Sequence, residues 1–75
     1  MIPKREIARE KLLLEDEIKE LEIKRSRSQA ALIEALISKR DPSEDEMRFF
    51  RTYTAEIEIK REKLKKLDDL LKSMV

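Results

Sequence analysis

Apolar side chains recur along both halves of this chain at a spacing that alternates three and four residues without a slip, and nothing else in the sequence constrains the fold as tightly. In the C-terminal half the stripe is Phe50, Tyr53, Ile57, Lys60, Leu64, Leu67, Leu71 and Met74. In the N-terminal half it is Ile7, Lys11, Leu14, Ile18, Leu21, Arg25, Ser28 and Leu32. A mean period of ~3.5 residues keeps such positions on one side of a helix and matches them to a second helix, which is the coiled-coil pattern. One break separates the stripes, Asp41-Pro42-Ser43-Glu44. Proline cannot continue a helix without losing a hydrogen bond, yet it suits a first turn. Asp41 then reads as the N-cap with Glu44 as its reciprocal partner, while Ser43 with Glu46 offers an overlapping capping box. Pro3 opens the first helix in the same way. The expected fold is all-α: helix one over about residues 4–40, a turn at about 40–42 and helix two over about 42–73, with residues 1–75 forming a single antiparallel coiled-coil hairpin.

Matching the stripes as antiparallel partners sets Leu32 against Phe50, Ser28 against Tyr53, Arg25 against Ile57 and Leu21 against Lys60. Ile18 then meets Leu64, Leu14 meets Leu67, and Lys11 meets Leu71. The midpoint of this pairing falls beside Asp41, where the helix break was found independently. The charges agree, because Lys60, Arg61, Lys63, Lys65 and Lys66 oppose Glu15, Asp16, Glu17, Glu20 and Glu22. One exposed pair is worth only ~0–1 kcal/mol, but together they penalise a parallel or slipped pairing. The two charges inside the seam, Arg25 and Lys60, are expected to carry their heads to its rim, Arg25 toward Glu56 and Lys60 toward Glu17 or Glu22.

A chain of 75 residues has little interior, and disulfides, a metal or self-association usually make up the shortfall. Cysteine and histidine are both absent, which removes disulfides, thiolate zinc sites and the commonest general base. Glycine is absent too, so no phosphate-cradling loop is available. The inventory therefore points to a protein that is not an enzyme and carries no cofactor and no metal. The acids at the tip, Asp41, Glu44, Asp45 and Glu46, give an architecture that resembles the acidic-tipped hairpin of Gre-type transcript-cleavage factors, which implies a metal there. Helix capping and compensation of the helix dipole call for acids at the same positions. The net charge is +1, which supplies no bulk attraction to nucleic acid or membrane. No apolar run reaches the length of a membrane span, and a cytoplasmic setting is expected. Nucleic-acid binding through Lys24, Arg27, Arg61 and Lys65 is the runner-up function. The facing acids and the lone tyrosine, with no tryptophan, argue against it.

The seam does not use every large apolar residue. Ile23, Ala30 and Ile37 recur every seven residues away from it, and with Ala31, Ile33 and Leu36 they make Ala30–Ile37 apolar almost all round. Met47 and Phe49 lie at the same end of helix two, whereas the far end reads as a narrow seam flanked by charge. A helix that is apolar on all sides is normally covered on all sides. Ala30, Ile33, Ile37, Met47 and Phe49 are therefore the expected partner-binding residues, and the chain is expected to be a protein–protein interaction module. It would act either as a homodimer or as a helical subunit or adaptor joined to a heterologous helical partner. Two hairpins meeting at this surface would make a four-helix bundle, an arrangement that resembles the small dimeric plasmid copy-number proteins of the Rop type in architecture.

Overall fold

The computed structural model describes residues 3–74. It is all-helical: α1, Lys4–Ile37, and α2, Glu44–Ser73, pack side by side as a hairpin. The molecule is 55 Å long, close to the ~51 Å that the 34 residues of α1 span at ~1.5 Å each. The long axis is therefore one helix length, and the antiparallel return adds only width.

Both helices are held by the seam. Ile7, Leu14, Ile18 and Leu21 of α1 and Ile57 of α2 are buried, while Leu32, Phe50, Tyr53, Leu64, Leu67 and Leu71 are half-buried. Ile57 clusters with Ile18 and Leu21, and Tyr53 and Leu64 pack against that cluster. The expected one-to-one pairing set Ile57 against Arg25 and Lys60 against Leu21. In the structure Ile57 packs with Leu21 and Ile18, which precede Arg25 on the same face of α1, and the Lys60 ammonium reaches Glu17, as expected of a seam lysine that carries its head to the rim. This is the cheaper arrangement, since a fully buried isoleucine gains nothing from a guanidinium that must stay hydrated. The stripe on α1 also runs one step beyond Leu32, to Ala35, which is completely buried.

The turn differs from expectation at both ends. Helix one stops at Ile37 rather than about residue 40, and helix two starts at Glu44 rather than Pro42. Lys39 adopts the left-handed conformation, with φ of 57°. The Lys39 N–H donates to the Leu36 carbonyl and the Arg40 N–H to the Ala35 carbonyl. That pair of bonds is the Schellman motif, which satisfies carbonyls left over at a helix end. On the other side Ser43 is the N-cap: its Oγ accepts from the Glu46 N–H at 3.1 Å, and Glu46 Oε1 accepts from the Ser43 N–H at 3.2 Å. Of the two overlapping boxes the one built on Ser43 forms, and Asp41 lies outside the helix. Its advantage is a further donor, because the Arg40 guanidinium also binds the Glu46 carboxylate at 3.1 Å.

The Schellman position is usually glycine, because a Cβ in left-handed backbone costs ~1–2 kcal/mol. Replacing Lys39 by glycine should therefore stabilise the hairpin by ~0.5–1 kcal/mol, after the added freedom of the unfolded chain is subtracted. The melting temperature of Lys39→Gly should rise by a few degrees, and that of Lys39→Val should fall. Equal melting of all three chains would mean that this turn is not left-handed in solution.

Candidate interaction surface

Each helix of the hairpin covers one stripe of the other, so large apolar residues off that stripe remain in water. On α1 these are Leu12, Leu13, Ile23, Ile33, Leu36 and Ile37, with Ile37 75% and Leu36 68% exposed. On α2 they are Phe49, Ile59 and Leu70. Among the residues read from the sequence as partner-binding, Ala30, Ile33, Ile37 and Phe49 are exposed and Met47 is half-buried.

These five do not form one patch. Phe49 lines an open groove with Arg27, Ser28, Ala31 and Glu46, and its ring stacks on Tyr53 at 6.4 Å between centroids. Ala30, Ile33, Leu36 and Ile37 lie roughly 140–260° round α1 from Ala31, at ~100° per residue. They share the outer and opposite side of the helix. Apolar exposure is also not confined to the turn end, as the sequence suggested. Leu12 is 62% exposed, and Leu13 and Leu70 are also exposed toward the far end. The triplet Leu12-Leu13-Leu14 holds one seam position, so two of its leucines had to face away. Counting seam membership residue by residue would have shown this.

The charged side chains sort into pairs across the seam and pairs within the turn. Lys60 binds Glu17, Arg61 binds Glu22 at 3.2 Å, and Lys11 binds Asp68 at 2.9 Å. Asp68 also takes Lys72 at 3.1 Å, one turn away on α2. Among the described residues Arg25 makes no ion pair with Glu56, although its side chain is half-buried at the seam. Of the basic residues weighed for nucleic acid, Arg61 is engaged by Glu22, and Arg61 and Lys65 line a groove with Lys11, Leu64 and Asp68. Lys24 and Arg27 stand on α1, on the opposite flank of the seam by helical position. The four thus form no continuous stripe. At the tip, Glu46 is occupied by Arg40 and Ser43, and Asp45 by Arg48. Among the described residues no three carboxylates converge closely enough to hold a metal ion, and no charged side chain is buried. No helix is long and apolar enough to cross a membrane.

Two carboxylates are held below their ordinary pKa. For Glu46 the chief cause is the hydrogen bond from Arg40, followed by that from the Ser43 backbone. For Asp68 it is the hydrogen bond from Lys11, followed by that from Lys72. Lys11 is raised in turn, chiefly by its hydrogen bond to Asp68.

Comparison with protein-family models, with curated proteins and with solved structures found no match in any of the three.

A carboxylate whose pKa is lowered on folding adds stability that is present above its unfolded pKa and is lost as pH falls through the folded value. The parent should therefore lose melting temperature below the ordinary carboxylate range. Asp68→Asn should melt lower than the parent at pH 7, and the two curves should converge in acid. A parent and variant that melt together at every pH would show that the Lys11–Asp68 pair adds nothing in solution.

Proposed function

We propose that this chain is a non-catalytic protein–protein interaction module, working as a homodimer or as a helical subunit or adaptor of a larger complex. The observation that carries this reading is the exposure of Ile33, Leu36 and Ile37 at the end of α1, where the seam has no third helix to offer them. Burying one such side chain is worth ~1.5–3 kcal/mol, so a few together support association.

The balance of surface supports the same reading. The chain exposes 6152 Å², whereas size scaling gives ~4,850 Å² for a compact monomer of its mass. A two-helix hairpin has no second layer, and a partner supplies one. A four-helix bundle is one form such an assembly takes. Folding and association are coupled in so small a chain, because anything that binds only the folded hairpin stabilises it.

The test is a charge placed on that surface, which would be desolvated on binding. Ile33→Glu and Ile37→Glu should reduce the solution mass of the parent assembly, or its retention of a native partner, by at least tenfold in affinity (~1.4 kcal/mol). Lys65→Glu, in the groove beside Lys11 and Asp68 near the far end of the hairpin, should leave both unchanged. If both isoleucine variants keep the parent's mass, helicity and retained proteins, the reading is wrong.

A further inference from the structure

The outer face of α1 carries a second stripe with the same alternation as the seam: Leu12, Asp16, Lys19, Ile23, Ser26, Ala30, Ile33 and Ile37. At ~100° per residue these positions stay within a band about 100° wide, on the side of α1 turned away from α2. Leu12, Ile23, Ala30, Ile33 and Ile37 on it are exposed. From Ile23 to Ile37 the stripe holds no charge. Nothing in the hairpin requires such a pattern, because α2 already occupies the only stripe it can reach.

We infer that this face is where a second copy of the chain docks, α1 against α1, antiparallel about a two-fold axis near residues 24–25. The inference rests on the interaction-module reading and names its partner. Two features of α1 locate the same axis. The apolar ends of the stripe match when Leu12 lies opposite Ile37 of the other copy, which also sets Asp16 opposite Ile33, Lys19 opposite Ala30 and Ile23 opposite Ser26. Beside the stripe, Glu20 then faces Arg27 of the other copy, and the symmetry makes this pair twice. Glu20 and Arg27 are both exposed, and neither joins an ion pair among the described residues of its own chain. Sliding the pairing by one heptad toward the turn brings Arg27 against Arg27, and like charges there oppose it. The small Ala30 leaves a path along which the Lys19 stem reaches solvent. The polar pair Asp16 and Lys19 restricts the registers open to the stripe, as a polar seam residue does in a coiled coil. The flanks of the hairpin suit a second copy less well. Their middle reaches carry Glu17, Lys60 and Lys63 on one side and Glu22 and Arg61 on the other, so a flank-to-flank bundle closes only near the turn.

Charge exchange tests the pairing directly. Glu20→Arg and Arg27→Glu, each alone, set like charges against each other in both symmetric pairs and should raise the dimer dissociation constant about tenfold or more. Mixed together, the two variants should recover parent affinity as a heterodimer, since each then meets its opposite twice. Paired cysteines at Ile23 and Ser26 should oxidise to a covalent dimer, whereas a lone cysteine at Ile37 should not, being about 37 Å from its symmetry mate at ~1.5 Å per residue. Ile59→Glu, at an exposed position of α2, should leave the dimer intact. A parent that stays at the 9.0 kDa chain mass, or a mixture that fails to recover, overturns the second-copy inference. The interaction-module reading then stands or falls separately, on whether Ile33→Glu and Ile37→Glu release a heterologous partner.

Discussion

Two helices can cover only one stripe of each other, and this limit accounts for most of what distinguishes the molecule. The covered stripe on α1 runs from Ile7 to Ala35, and Ile57 is the deepest residue facing it from α2. Tyr53 and Leu64 close over this cluster without being fully removed from water. A third or fourth helix would bury these seam residues further and add a second layer. Without one, the hairpin keeps apolar side chains on its outer surfaces at both ends.

The turn shows how a chain without glycine reverses direction. Left-handed backbone at Lys39 ends α1 with its last carbonyls satisfied. Bonds made by the neighbouring residues offset the cost of a Cβ there. Arg40 binds Glu46, and Glu46 in turn completes the cap on Ser43. One carboxylate thus accepts from a guanidinium and from a backbone N–H, so the end of α1 and the start of α2 are fastened to a common group. Of the acids at the tip, Glu46 serves this local purpose. Glu46 and Asp45 are both engaged by arginines.

The charge pattern acts on direction and register more than on stability. Lys60–Glu17, Arg61–Glu22 and Lys11–Asp68 all join the C-terminal half of α2 to the stretch of α1 between Lys11 and Glu22. None of their side chains is buried, so screening by water keeps each contribution small. The basic run of α2 is in part engaged by this pairing, through Lys60 and Arg61.

The two packed helices were legible in the residues alone, because helix periodicity is a local property: Leu14, Ile18 and Leu21 share a face of α1 whatever surrounds them. The Asp41-Pro42 break located the reversal to within a few residues for the same reason. Its details were not legible. The boxes on Asp41 and Ser43 are near-equal local alternatives, and the choice between them depends on Arg40, which reaches Glu46 only once the chain has turned. The partition of the apolar surplus likewise required the fold. Ile33, Ile37 and Phe49 read as one cluster along the chain, since all lie near the turn. Their separation onto different sides, with Phe49 beside Ala31 and the isoleucines behind α1, depends on how the two helices are rotated about their axes. That rotation is set by which side chains fill the space between the helices. Periodicity tells each helix which stripe to bury, and packing decides what is left outside.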